Sequence, residues 1–362
     1  MKIAIDVSQV VYETGVSVYT KELVKHLLLL DNKNEYLLFG GSLRGVYKLK
    51  AFFDSLGFHQ NLKTKIIPIS PSMADFIWNR VHRLHIEKII GKVDVFHSSD
   101  WSQPPSNAFN VTTIHDLSPI KYPEYTPKKI VSVHKSRLSR VKKECDVIIV
   151  PSETTKKDLL DIGFNVSKIH VVYEALPNSF KKANKYQIAK MRKKLGIREK
   201  YLLCFGRNPR KNLRSVIDAF FSLKRDDLIL VVIGENQNFH EDSNRVKSIP
   251  FVEAEMLPAL YSGAEALVYP SIYEGFGLPV LEAFACEIPV VATNYGSIAE
   301  VGGKAYVGVD PFDVSSISAG IVKAFAKKEQ LIKEGVKRLA MYSWEKTAKL
   351  TLKLYELCVQ PK

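Results

Sequence analysis

An α/β protein made of two doubly wound units is what this 362-residue sequence predicts. Three observations predict it. Short β-branched runs alternate with longer polar or helical stretches, the pattern of parallel strands covered by helices on both faces. The alternation comes as two series, separated by a segment that turns and then becomes strongly basic. The length also exceeds the size at which one hydrophobic core usually stops growing, so two domains of ordinary size are expected.

Taken in order, the first series reads KIAIDV, EYLLFG, TKIIPI, VDVFHS, NVTTIHD, DVIIVPS and KIHVVY, each a buried strand followed by polar or helical sequence. Between the fifth and sixth runs, Lys121, Lys128, Lys129, Lys135, Arg137, Arg140, Lys142 and Lys143 face the single acid Glu124, while Ile130, Val133, Leu138 and Val141 recur at helical spacing. This is a basic amphipathic helix. Its charged face suits anionic headgroups, phosphates or nucleic acid, and a merely solvated face explains it as well. The stretch from Glu174 to Lys200 carries a Pro-Asn turn and then a basic helix, so the boundary is placed there, with domains at 1–174 and 175–343. The second series reads KYLLCFG, LILVVIG, SIPFV, EALVYPS and IPVVATN, with NLRSVIDAFFSL and EMLPALYSGA as intervening helices. In such folds ligands gather beyond the carboxyl ends of the strands.

Composition narrows the function. Hydrophobic residues make up 46% and charged residues 25% of the chain, the balance of a folded protein in water, and no apolar run reaches the roughly 18 residues that cross a bilayer. The start, MKIAIDVSQ, enters a strand without a leader pattern, so a cytoplasmic location is expected. Cys145, Cys204, Cys286 and Cys358 are too scattered for a zinc site or disulfide framework and are read as reduced core thiols. The first strand is followed by Gly15 alone, and the second series offers FGRNPRKN and IGENQN where a dinucleotide fingerprint would stand. That argues against a nicotinamide or flavin enzyme. There is no phosphate-cradling GxxxxGK loop, nor any Asp-x-Asp to hold a metal against a diphosphate.

The chemistry sits in PSIYEGFGLPVLEAFACEIPVV, Pro270 to Val291, where Glu274 and Glu282 flank a Gly275-Phe276-Gly277-Leu278-Pro279 turn. The net charge is +14, yet no Lys or Arg occurs between Lys247 and Lys304. Pro279 suits the first turn of a helix, so the amides around Gly277, Leu278 and Val280 should leave a helix N-terminus facing an anion. Carboxylates on either side of a bound diphosphate can accept hydrogen bonds from hydroxyls at its two ends, the layout of a nucleotide sugar. On this reading the cations belong on the diphosphate and the acids on neutral hydroxyls, out of reach of a competing Lys or Arg.

EGFGLPVLE, FGRNPRKN, IHDLSP, PSETTKKDLL and YSWEKTAKLTLKLYE together make the chain resemble the retaining glycosyltransferases of family 4, over nearly its whole length. The resemblance implies the GT-B fold: two Rossmann-like domains facing a central cleft, the amino-terminal one receiving the acceptor and the carboxy-terminal one the nucleotide sugar, with a final helix over 344–362 returning to the first domain. It implies that Glu274 contacts the transferred sugar, that Glu282 contacts the ribose, and that Arg207 and Lys211, following Gly206, grip the diphosphate. His115 would approach the donor sugar, and Gly15 would bring backbone close to phosphate or acceptor. Two positions depart from the family pattern, Ser17 and Ala175 standing where glycines are common. Asp6 is a further candidate.

The reaction so implied is transfer of a hexose with retention by front-face attack, needing no metal and no cofactor beyond the nucleotide diphosphate sugar. GDP-mannose is the favoured donor, with UDP-glucose, a UDP-N-acetylhexosamine, or a phosphorylase or epimerase on the same fold left open. The expected acceptor is a saccharide or lipid-linked saccharide, reached from the cytoplasmic face of an anionic membrane, in the biosynthesis of cell-envelope polysaccharide. Nucleic acid is not an expected partner, since a nucleic-acid-binding protein would explain the charge but not the acid pair.

Overall fold

A computed structural model describes residues 1–12, 14–234 and 244–359. The chain divides into two compact units, Met1–Glu174 with Ser343–Lys362, and Ala175–Tyr342.

The first unit is built on a parallel sheet of seven strands: β1 (Lys2–Asp6), β2 (Glu35–Gly41), β3 (Leu62–Ile67), β4 (Val95–Ser98), β5 (Phe109–Thr113), β6 (Val147–Val150) and β7 (Ile169–Val171), in the order β3-β2-β1-β4-β5-β6-β7. Each of the seven expected runs supplies one strand. The third starts earlier than its run and stops before Pro68, whose ring cannot donate to the ladder. The order reverses between β1 and β4, and at such a switch point helices depart to opposite faces and leave a crevice. The helix Gly15–Leu30 buries Leu23, Val24, Leu27 and Leu28, an i, i+1, i+4, i+5 stripe. The closing helix Trp344–Tyr355 packs on it, with Trp344 against Tyr19 at 5.6 Å and against His26 at 6.2 Å between ring centroids.

The second unit has six parallel strands: β8 (Lys200–Phe205), β9 (Leu228–Ile233), β10 (Val246–Ile249), β11 (Ala266–Tyr269), β12 (Val290–Thr293) and β13 (Val307–Val309), ordered β10-β9-β8-β11-β12-β13. β13 has only three residues, too few for an alternation to show. The basic stretch before β8 forms the helix Lys185–Leu195, capped by Asn184 through the Gln187 amide and closed by Gly196 at φ +62°. The core is aliphatic: Leu202, Val216, Phe220, Leu230, Val268 and Ile317 are all essentially inaccessible. Here the order reverses between β8 and β11. The ENQN stretch noted after β9 lies outside the described residues. Among the described residues no helix is long and apolar enough to cross a membrane.

Candidate active site

The carboxyl ends of β8 and β11 deliver the second unit's candidate residues to one place. After β8 comes Gly206, where an added Cβ would stand 2.6 Å from Leu213 and 2.8 Å from Val232. The glycine therefore lets the chain cross its own core. Asn208 then caps a single 3-10 turn, Pro209–Lys211, and Asn212 follows in the left-handed region at φ +58°. This turn aims Arg210 and Lys211 at the loop beyond β11.

Glu274 is the hub of that loop. Its Oε1 accepts hydrogen bonds from Lys211 Nζ at 2.6 Å, Ser271 Oγ at 2.5 Å and Tyr269 OH at 2.7 Å, and its Oε2 lies 3.4 Å from Arg210 Nη1. Lys211 also donates to the Tyr269 hydroxyl, its ammonium 4.8 Å from that ring's centroid. Burial alone would push the Glu274 carboxyl up, but the charges of Lys211 and Arg210 outweigh it and hold the group at about 2. Glu274 is therefore a fixed anion within a charge-compensated cluster. The expectation that this acid stands clear of cations is corrected here: the cation-free run from Lys247 to Lys304 is filled in space by side chains some sixty residues earlier in sequence. Arg207, by contrast, is exposed, and the neighbouring Arg210 takes the buried contact.

Eight residues on, the helix Leu278–Ala285 carries Glu282, whose carboxylate accepts a hydrogen bond from the buried Tyr261 hydroxyl. Burial raises the Glu282 carboxyl's pKa, with the Tyr261 hydrogen bond and the Lys211 charge opposing. The two acids thus sit in different electrostatic environments, one strongly paired and one held mainly by a phenol. Gly277 caps the helix at φ +105°, a conformation a side chain would strain. The helix end is narrower as an anion site than expected, because the Val280 amide is spent on Gly277 O at 2.9 Å; Gly277 and Leu278 are the amides left for the end to present. Phe276 is buried edge-on against Tyr342, 5.7 Å between centroids, and anchors the loop from below. Gly275 is buried beside it, and the Glu274 carbonyl accepts from Ser297 Oγ at 2.7 Å.

In the first unit, His115 follows β5 and donates from Nδ1 to Glu174 Oε1 at 2.8 Å, leaving Nε2 for a ligand. Burial would lower the imidazole's pKa; the Glu174 hydrogen bond and charge, with Asp100 and Asp116, overcome this and raise it. Tyr19 packs edge-on, 4.6 Å away between ring centroids. Beneath it, His97 joins Tyr355 OH at 2.6 Å and Thr113 Oγ1 at 2.9 Å, and burial together with the charges of His115 and Arg137 pushes its pKa down to about 3, so it stays neutral. Gly15 is exposed at the start of its helix. The departure at Ser17 has a structural use: its hydroxyl donates to Gln9 O at 2.5 Å and accepts from the Thr14 amide at 3.2 Å, fixing the loop a glycine would leave free. Asp6 is buried at the end of β1, with Oδ1 accepting from Ser8, while burial raises its pKa.

Glu174, Tyr261, Tyr269, Ser271 and Arg210 were not singled out from the sequence. The arginine had a readable signal, since it lies beside Lys211 in the same loop; phenol hydroxyls reaching across a unit leave none.

The parallel seven- and six-stranded sheets, each with a switch point, make both units Rossmann-like. Glycosyltransferase Family 4 is matched over residues 14–177 and Glycosyl transferases group 1 over residues 187–338. The O-antigen chain mannosyltransferase B of Escherichia coli is 26% identical over 95% of this chain and 96% of its own length. An O-antigen chain mannosyltransferase of Salmonella typhimurium is 30% identical over 58% and 59%. Among solved structures, the sucrose-phosphate synthase of Thermosynechococcus elongatus superposes with a TM-score of 0.73 at 18% identity, covering 99% and 98%. This chain belongs to glycosyltransferase family 4 and is a hexosyltransferase.

Proposed function

We propose that the protein transfers mannose from GDP-mannose, with retention of configuration, to a saccharide or lipid-linked saccharide of the cell envelope. The observation that carries the donor half is the Glu274–Lys211–Arg210–Tyr269 cluster at the β8/β11 switch point. A diphosphate arriving there meets two cations already fixed by a carboxylate, so little reorganisation is needed as charge grows on the departing phosphate. Glu274 accepts from hydroxyls of the transferred sugar, and Glu282 from the ribose. Arg207, exposed beside them, supplies a third cation, and the Gly277 and Leu278 amides face the diphosphate. With these positive groups in place the reaction is proposed to need no metal. Front-face attack lets the leaving phosphate oxygen take the acceptor's proton, while His115 contacts the sugar. The choice of mannose rests on the Escherichia coli mannosyltransferase aligned over 95% of this chain.

The test is thermal stabilisation by GDP-mannose, UDP-glucose and UDP-N-acetylglucosamine, followed by donor turnover with and without EDTA and NMR of the product anomer. GDP-mannose should stabilise most, turnover should survive chelation, and the α-linkage should be kept. Preference for a UDP-sugar, an inverted product, or activity lost on chelation and restored by manganese would each overturn the corresponding part.

A peripheral contact with anionic membrane belongs to the same proposal. In the basic helix Lys128–Glu144, Lys128, Lys129, Lys135, Lys142 and Lys143 are exposed, and Lys129 donates to Ser72 Oγ at 3.2 Å, beside Met73 and Phe76, which are 48% and 59% exposed. Cations flanking protruding apolar side chains suit a lipid surface. Arg137 has no part in it: it is 1% exposed and donates to Ser99 O, Thr112 Oγ1 and Thr113 O.

A further inference from the structure

Beyond the donor cluster, the first unit holds a cavity of about 500 Å³ at the carboxyl ends of β2 and β3. Its frame is rigid. Gly41 N donates to Ser8 Oγ at 2.8 Å, Gly45 N to Ser42 Oγ at 2.8 Å, and Lys48 Nζ to Val11 O at 3.3 Å. A Cβ on Gly45 would come within 2.8 Å of Val11, so the turn is closed tightly onto the short helix Ser8–Tyr12.

The lining is unlike that frame. Tyr12 and Tyr47 are 43% and 67% exposed, and Tyr12 is backed by Trp101 at 6.0 Å between centroids. Arg44 and Lys48 stand beside the tyrosines, with the Ser42 and Ser70 hydroxyls completing the wall. Large rings left in water beside hydroxyls and cations, over a fixed backbone, are what a sugar carrying a phosphate requires. The apolar C–H face of a pyranose lies on an aromatic ring. A guanidinium matches the phosphate oxygens in a two-pronged contact. No acid among the described residues lines this cavity.

We propose that this cavity binds a saccharide phosphate through ring stacking on Tyr47 and Tyr12 and charge pairing with Arg44, and that it is the acceptor site of the enzyme. Only its role as the acceptor site rests on the proposed transfer reaction. The phosphate belongs either to a soluble sugar phosphate or to the head of a lipid-linked saccharide.

Calorimetric titration of the full chain with mannose 1-phosphate, its short-chain prenyl ester in micelles, methyl mannoside and inorganic phosphate tests this, with Arg44→Gln and Tyr47→Ala alongside. Both replaced side chains are exposed, so the melting temperature should stay unchanged. Arg44→Gln should weaken the sugar phosphate by about tenfold and leave methyl mannoside unaffected, and Tyr47→Ala should weaken both by about tenfold. A gain with the prenyl ester over the free sugar phosphate identifies the lipid-linked source; equal binding identifies the soluble one. Affinity unchanged in both variants, inorganic phosphate binding as tightly as the sugar phosphate, or no binding by any probe would overturn the proposal. Nucleotide-sugar stabilisation is read separately in the same variants. If it is absent while the sugar phosphate still binds in an Arg44- and Tyr47-dependent way, the donor reading fails and this site stands.

Discussion

Replacing Lys211 with methionine removes the ammonium at Glu274 and keeps most of the side chain's length. With its cations in place the carboxyl is held at about 2 against an ordinary 4.5, a difference worth about 3 kcal/mol at neutral pH. Because the folded value is the lower one, this stabilisation is complete above about 4.5 and is lost as acid carries the pH down through 2. Burial and the Lys211 charge are the two largest influences and oppose one another. Breaking a buried pair typically costs about 3–5 kcal/mol; here Arg210, Ser271 and Tyr269 remain as partners, so about 2–3 kcal/mol is expected. Trp78, Trp101 and Trp344 all belong to the other unit, so tryptophan fluorescence is the wrong probe. Hydrogen exchange of peptides covering β8 and β11 reads the affected unit directly. Lys211→Met should lower protection there, Glu274→Gln in the same background should restore part of it, and the cycle should show coupling of at least about 1 kcal/mol. Losses that add within about 0.5 kcal/mol, or a variant acid profile that overlays the parent's, would refute the reasoning.

Glu282→Gln should weaken nucleotide diphosphate binding with little change in turnover at saturation, whereas Glu274→Gln should depress turnover more than binding; near-normal transfer by both would sink the assignment. Glu174→Gln removes the charge that raises His115, so the pH above which His115-dependent turnover changes should move downward, with Glu174→Asp restoring part of the shift; an unmoved pH profile would make the pair merely structural. Arg137→Gln should cost about 3–5 kcal/mol in urea melts because a fully buried cation loses its network. Changing Lys128, Lys129 and Lys135 together to glutamine should spare stability and abolish salt-dependent sedimentation with anionic vesicles; unchanged sedimentation would contradict the membrane contact.

The strands were legible because a buried parallel strand writes its burial into consecutive residues: LILVVIG and VDVFHS need no partner to be recognised. β13 escaped because three residues hold no period. The loop Glu274–Pro279 was legible because turn, cap and acid lie close together in sequence. What was not legible is pairing across distance. The absence of Lys and Arg near Glu274 looked like a charge vacuum, yet the fold closes Lys211 and Arg210 onto it. In the same way, a helical run of cations gave no sign that Arg137 points inward, because burial of an arginine depends on carbonyls supplied by Ser99 and Thr113 on other elements.

The bond between His97 and Tyr355 spans 258 residues, and it gives the two units opposite fates during synthesis. The second unit is one unbroken segment, complete once Tyr342 has left the ribosome. The first begins to emerge before it, but Trp344 and Tyr355, which cover Tyr19 and His97, are made only after the second unit. Until then its buried histidine has Thr113 but not Tyr355 as a partner, and an apolar helix face is uncovered. The unit translated first therefore finishes second, and a chain stopped at Tyr342 would carry an intact second unit and an unfinished first one.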